Sequence, residues 1–313
     1  MLVSVKQTAD ILKSMDNVLI LTHQSPDGDT LGSGYALCYA LRNLGKKANV
    51  VCADKIPEKY SYFTAHYTPE EFEVENVVAV DVADEKLLGS LSEVGEIHLC
   101  IDHHGSNRQF ADYLCLDSNC ASTTELLYEI LCEMNVTITK EIANCIYTGL
   151  STDTGCFKYT NTTAKTLRTA AEMLEKGADA GMINTLMFET KTLARVQVEK
   201  LVYNTMEIAL NGECAIVAIT ADMLERTGAV EDELEGVSAM PRQIVGVKVG
   251  VTLREKGKDT YKISLRTSEE ADASLICSAF GGGGHKRAAG CTINAPLEKA
   301  KQMLLEEIEK HLK

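Results

Sequence analysis

The chain has no tryptophan, and aromatic residues make up only 5% of its 313 positions. That argues against a platform of stacked rings for long single-stranded nucleic acid. Positive charge is also short: 31 Lys and Arg stand against 45 Asp and Glu, a formal net charge of −14. A grip on the backbone of long RNA or DNA needs a broad basic face, so that class is disfavoured. A small phosphorylated ligand is not, provided bound metal supplies the positive charge. The 11 cysteines include no Cys-x-x-Cys pair. Their odd number and scatter read as reduced thiols, not a disulfide framework. No apolar run approaches the roughly 20 residues that cross a bilayer, and the first residues show no basic-then-apolar leader pattern. A cytoplasmic protein without membrane association is expected.

A hydrophobic content of 45% is enough for one large or two ordinary domains. Cys38 and Cys100 lie in apolar patterns and belong in cores. Residues 3–15 read as an amphipathic helix and 17–22 as a buried strand. That strand runs into His23-Gln-Ser-Pro-Asp27-Gly-Asp29-Thr-Leu-Gly-Ser33, followed by a helix of small and apolar residues from Gly34 to about Leu44. Strand, polar loop and helix form the first half of a βα unit. A second strand is expected at 47–52, a third at 77–81 ending in Asp81, and a fourth at 97–101 ending in Asp102-His103-His104-Gly105-Ser106-Asn107. Residues 54–73 read as irregular, 85–91 as a helix, 114–116 as a strand, and 123–133, 141–150, 163–176 and 179–188 as helices. Asp153 follows between Gly149 and Gly155. Beyond a charged helix at 190–203 the period changes towards 2, with strands at 206–210, 214–219, 244–253 and 262–266. A helix beginning at 273 is interrupted by Gly281–Gly284, His285, Lys286 and Arg287, and 297–312 closes as an amphipathic helix.

Each polar strand end has a bland reading. Asp29 can cap a helix after a Pro-Asp-Gly turn, Asp81 can cap the next helix, and Asp153 can be a loop carboxylate. The glycine run can be a flexible loop. Gathered together they suggest more. His23, Asp27, Asp29, Asp81, His103 and Asp153 all arrive at one edge of a predicted parallel sheet, the edge where α/β proteins bind ligands. Four clustered carboxylates repel, and divalent cations relieve that repulsion. Carboxylate and imidazole without thiolate favour Mn²⁺ or Mg²⁺, with Co²⁺, Fe²⁺ and Zn²⁺ also accommodated. Two such ions clamp an in-line phosphoryl displacement. Glycine N–H groups at 281–284, with His285, Lys286, Arg287 and Arg266, can hold the phosphate as in an anion-binding nest.

The set His23-x3-Asp27-x-Asp29, Asp81, Asp102-His103-His104 and Asp153 resembles motifs I to IV of the DHH phosphoesterase superfamily. Gly282-Gly283-Gly284-His285 through Ala288-Ala289-Gly290 resembles the signature of its companion domain, DHHA1. The likeness spans nearly the whole chain, in order. The compact two-domain form is similar to the oligoribonuclease and phosphoadenosine phosphatase branch. The resemblance implies an N-terminal parallel-sheet α/β domain with helices on both faces over residues 1–188. A linker helix over 189–203 and a smaller C-terminal domain with a mixed sheet over 204–313 would follow, with a cleft between the domains. It implies one metal on His23, Asp27 and Asp81, and another on Asp29, Asp81, His103 and Asp153. Asp102 would orient a ligand, and His104 would stabilise charge on the scissile phosphate. Asn107, Arg266, Gly282, Gly283, Gly284 and His285 would contact substrate. The substrate implied is a short RNA, a dinucleotide such as pApA, or adenosine 3′,5′-bisphosphate, and a homodimer is left open. Cyclic di-AMP hydrolysis is the alternative that no residue rejects. A manganese pyrophosphatase is disfavoured by the 281–290 region, a non-catalytic module by the full set of ligands, and a nuclease on long single-stranded DNA by charge and length.

Overall fold

The computed structural model describes residues 1–234 and 236–312. The chain divides into two compact units, Met1–Thr190 and Lys191–Lys313.

The first unit opens with α1 (Val5–Ser14), whose capping box joins Ser4 and Gln7, and continues through β1 (Val18–Thr22), α2 (Gly28–Asn43), β2 (Ala48–Cys52), β3 (Asn76–Val80), β4 (Leu99–Asp102) and β5 (Tyr113–Leu116). Four helices follow: α3 (Thr123–Glu133), α4 (Lys140–Asp153), α5 (Ala164–Glu175) and α6 (Ala180–Asn184). The five strands are parallel in the order β2-β1-β3-β4-β5. Strand side chains alternate. Val18, Ile20, Val78, Val80, Leu99 and Ile101 meet the α-helices, while Leu21, Val77, Ala79, Cys100 and Leu114 face the other side. There the cover is a pair of 3₁₀ turns over Glu85–Glu93, carrying Leu88, where an ordinary helix was expected. Gly89 at φ 57° breaks the helical path. Within the stretch read as irregular, a 3₁₀ turn over Glu58–Phe63 inserts Tyr60 and Phe63 into the core. The core cysteines Cys38 and Cys100 are buried free thiols.

Helix α2 starts six residues before the expected Gly34, because Asp27 caps it: the Asp27 carboxylate accepts from Asp29 N at 3.0 Å and Thr30 N at 3.1 Å. Helix α4 likewise runs three residues past the expected Leu150, so Asp153 is its last residue rather than a loop residue.

The second unit contains α7 (Leu193–Asn204), β6 (Glu207–Ala209), β7 (Cys214–Ile219), α8 (Ala221–Thr227), β8 (Val249–Gly257), β9 (Thr260–Thr267), α9 (Ala273–Ser278), β10 (Gly283–His285), β11 (Ala288–Asn294) and α10 (Leu297–His311). Its mixed sheet runs β10-β11-β9-β8-β7-β6, parallel only between β7 and β8. Ile216, Val251 and Ile263 pack with Ile276 of α9 and Leu304 of α10. On the other face Val217 and Ile219 are covered by Val198 and Val202 of α7 with Val237 and Met240. That burial groups α7, read from sequence as a connector, with the second unit.

The glycine run is the clearest departure from expectation. It forms an edge strand hairpinned to β11, with Gly283 opposite Gly290 and His285 opposite Ala288. A Cβ on Gly282 would lie 2.3 Å from Gly290 O, and one on Gly284 would lie 2.7 Å from Ala288 O. Glycine at 282 and 284 permits this close strand approach, and the bland alternative of a flexible loop gives way to strand pairing.

Candidate metal centre

Order 2-1-3-4-5 reverses direction between β1 and β3, and in such sheets ligands bind at that switch point, beyond the strands' carboxyl ends. The loop after β1 carries His23 and Asp27 to it, and the residue after β3 is Asp81. Asp81 sits at φ 59°, a left-handed backbone that costs a non-glycine residue roughly 1–2 kcal/mol. Its N–H donates to Ile101 O at 2.9 Å, which holds the turn.

Three elements then converge. His23 Nε2 lies 3.7 Å from Asp27 Oδ1 and 3.6 Å from Asp81 Oδ2. His103 Nε2, one residue past β4, lies 3.8 Å from the other Asp81 oxygen, 3.9 Å from Asp29 Oδ2 and 3.3 Å from Asp153 Oδ2. Asp81 thus turns one oxygen to each cluster. His23, Asp27 and Asp81 could hold one metal ion, and Asp29, His103 and Asp153 another. In an octahedral shell with bonds of about 2.1 Å, ligand atoms stand roughly 3.0 Å apart when adjacent and about 4.2 Å when opposite. The observed separations fall in that span.

The histidines are oriented for coordination. His23 Nδ1 lies 2.8 Å from Gln24 O, and His103 Nδ1 lies 3.2 Å from Cys120 O. A carbonyl only accepts, so each Nδ1 carries its hydrogen and each Nε2 is turned to the carboxylates. The buried His103 Nε2 has no hydrogen-bond partner at all.

Asp29 is held from behind. It is wholly buried, and its two oxygens accept from the backbone N–H groups of Thr123 at 2.6 Å and Thr124 at 2.9 Å, the first turn of α3. A helix N-terminus favours a carboxylate. Thr123 also donates its hydroxyl to Asp81 Oδ1 at 2.8 Å, so one residue fixes two acids. Sequence reading missed Thr123; the available signal was the Ser122-x-x-Glu125 pattern before an apolar run, which marks a helix start. Gly149 of α4 was missed too. A Cβ there would lie 2.3 Å from Thr124 Oγ1 and 2.5 Å from Asp29 Oδ1, so only glycine lets α4 approach.

Asp153 has the opposite surroundings, at the C-terminal end of a helix, where negative charge is disfavoured. Burial, then the charges of Asp29 and Asp81, push its carboxyl well above the ordinary range, and burial with Asp81 and Asp27 does the same to Asp29. Burial opposes a charged His23, but Asp27 and Asp81 outweigh it and raise its pKa to about 11. Two divalent ions would supply four positive charges to the four carboxylates of these clusters.

Beside them, Asp102 Oδ1 accepts from His104 Nδ1 at 2.8 Å and holds His104, whose side chain is 44% exposed. The Asp102 contact is the main cause of the rise in the His104 pKa to about 9. Asn107 was expected at the substrate phosphate. Its amide nitrogen donates to Asp102 Oδ2 at 2.7 Å and Val82 O at 3.0 Å, and its oxygen accepts from Gln109 N at 2.7 Å. Both ends of that side chain serve the protein. Of the remaining expected site residues, Arg266, Gly283, Gly284 and His285 belong to the second unit's sheet, and Gly282 immediately precedes its edge strand. There Arg266 pairs with Ala288 and Ala288 with His285, one row across three strands.

Residues 17–150 match the N-terminal domain of the DHH family, and residues 212–313 match the DHHA1 domain. The chain belongs to this DHH–DHHA1 family, whose members are metal-dependent. Over 97% of its length, and 93% of the relative's, it is 33% identical to the bifunctional oligoribonuclease and PAP phosphatase NrnA of Thermus thermophilus. Over 89% of its length, and 90% of the relative's, it is 27% identical to NrnA of Bacillus subtilis. A solved exopolyphosphatase-related protein from Bacteroides fragilis superposes with a TM-score of 0.87 at 25% identity, covering 98% of this chain and 95% of that one. Among the described residues no helix is long and apolar enough to cross a membrane.

Proposed function

We propose that this chain is a metal-dependent phosphoesterase that hydrolyses short oligoribonucleotides such as pApA to mononucleotides and removes the 3′-phosphate of adenosine 3′,5′-bisphosphate. The observation that carries this is the shared Asp81 carboxylate, one oxygen towards His23 and the other towards His103. Relatives that align over nearly the whole chain are named for both activities, which favours this reading over cyclic di-AMP hydrolysis and pyrophosphatase action.

His23, Asp27 and Asp81 would hold one ion, and Asp29, Asp81, His103 and Asp153 the other, with Mn²⁺ the best match to a carboxylate–imidazole set. Bound there, the ions would polarise the phosphoryl oxygens and lower the pKa of the attacking water. The chain's own groups do the rest. Thr123 and the α3 N-terminus hold Asp29 and Asp81 in place. Asp102, braced by Asn107, keeps His104 Nδ1 occupied, so that Nε2 is the atom offered to a ligand. Held this way, His104 would stabilise developing negative charge on the scissile phosphate or donate to the leaving oxygen. Arg266 and His285 are the recognition groups of the second unit.

The test is a turnover comparison of the Mn²⁺-loaded protein on pApA, longer RNA, adenosine 3′,5′-bisphosphate, cyclic di-AMP and pyrophosphate. The expected order places pApA and the bisphosphate first. Turnover of only pyrophosphate, or of none of the five, defeats the reading.

A further inference from the structure

None of the 11 cysteines belongs to the carboxylate–histidine clusters, yet two of them face each other. Cys277 lies on α9 and Cys291 on β11, and both are buried in one core cluster of the second unit. The chain between them turns back through the glycine run. Gly282 N donates to Cys277 O at 3.0 Å. A Cβ on Gly282 would lie 2.4 Å from Cys291 Cβ and 2.7 Å from Cys291 Cα. One glycine thus touches the backbone of the first cysteine and the Cβ of the second, and a larger residue there would force them apart. The two thiols are hydrogen-bond partners of one another.

That contact sets Cys277 apart. Burial pushes the thiols of Cys38, Cys100, Cys120, Cys145 and Cys214 up. Cys277 moves down, because the Cys291 thiol donates to its sulfur and steadies the thiolate, and Cys291 is raised in return. The thiolate is the form that attacks an oxidant, and a second thiol beside it resolves the oxidised product. Access comes through the sheet edge. Strand β10 is three residues long, exposed, and paired only with β11. So short an edge strand opens locally far below the cost of global unfolding. Cys291, on the neighbouring strand, already keeps 7% exposure.

We propose that Cys277 and Cys291 form a dithiol modification site that hydrogen peroxide oxidises to a disulfide joining α9 to β11. In the first step the Cys277 thiolate attacks one peroxide oxygen and the O–O bond breaks. Hydroxide leaves and takes up a proton as water, and Cys277 becomes a sulfenic acid. In the second step the Cys291 sulfur attacks that sulfur and the S–O bond breaks. The hydroxyl departs with the Cys291 proton as a second water. Two thiols lose two electrons, and one peroxide gains them. A thiol reductant reverses the bond by exchange. The inference stands apart from the hydrolase reading, because neither metal nor phosphoester takes part.

The experiment uses the full-length, fully reduced protein under native conditions. Hydrogen peroxide is raised in steps until the exposed Cys132 is oxidised, and catalase stops each step. Remaining thiols are alkylated in denaturant, and the digested protein is mapped by mass spectrometry. A peptide cross-linked between Cys277 and Cys291 should appear, lighter by two hydrogens, at a lower dose than oxidation of Cys132. Dithiothreitol should return both cysteines to the alkylated form. In Cys291→Ala the sulfenic acid at Cys277 has no resolving thiol, so its capture by dimedone should rise on the order of tenfold over wild type. Cys277→Ala should leave Cys291 unmodified at the same dose. Circular dichroism with a thermal melt checks that both variants fold, and the wild-type map needs neither. Full alkylation of Cys277 and Cys291 at the dose that oxidises Cys132 overturns the proposal. Cross-links spread over other cysteine pairs at equal yield overturn it as well.

Discussion

The two units arrange their charged side chains in opposite ways. In the first, a parallel sheet sends every strand's carboxyl end to one edge, so six side chains from separate segments meet at a switch point. The chemistry there is dense, acidic and buried. In the second, antiparallel pairing spreads residues across a face, and Arg266 and His285 share that face with Ala288 between them. An edge cluster concentrates charge enough to demand metal. Arg266 and His285, spread along a face, create no such demand.

The sharpest way to break this contrast is Asp81→Asn. Asparagine tolerates the left-handed backbone and still accepts from Thr123, but removes the shared charge. Turnover should fall by roughly 10³-fold or more, while circular dichroism shows the fold retained. In chelator the variant should melt at or above the wild-type temperature, because one of the crowded carboxylates is gone. Added Mn²⁺ should then stabilise the wild type and barely shift the variant. Near-normal turnover, or equal metal-induced stabilisation, would remove Asp81 from the bridging position.

Gly149→Ala should have the next largest effect. Its Cβ displaces Thr124 or Asp29, at a cost of roughly 1–3 kcal/mol in stability and about 10–100-fold in metal affinity. Calorimetric titration with Mn²⁺ measures it; unchanged affinity would show that α4 yields without moving Asp29.

The smallest effect is a pH slope. With its pKa near 11 in the metal-free protein, His23 keeps its proton at neutral pH and must release it to coordinate. Mn²⁺ affinity should therefore rise with pH between 6 and 9, by about tenfold per unit for each proton displaced. Without metal the sign for stability is the reverse. A folded-state pKa raised from 6.5 stabilises fully below pH 6.5, and the contribution is lost as pH climbs through about 11. A flat affinity profile would mean that His23 is already neutral.

Much of the first unit was legible, because a βα repeat writes its period locally and its polar strand ends stand out. His23, Asp27, Asp29, Asp81, His103 and Asp153 could all be picked out that way. Less legible were partners whose importance lies across the sheet. Thr123 looks like any helix N-terminus, and Gly149 like a weak point in a helix. Asn107 follows the Asp102-His103-His104 run closely enough to suggest substrate contact, yet its amide turns inward to Asp102. The hairpin at 283–294 was invisible because glycine has little strand propensity, and its pairing is imposed by the neighbouring strand.

Sequence alone determined which residue types stand at which strand ends, since apolar alternation and helix capping are read within about ten residues. Only the tertiary structure decided that Asp81 divides its two oxygens, that α3 backs Asp29, and that Arg242 lies against Gly250. Those distances depend on strand order and helix approach, and contacts between residues far apart in the chain are set by packing, not by local preference.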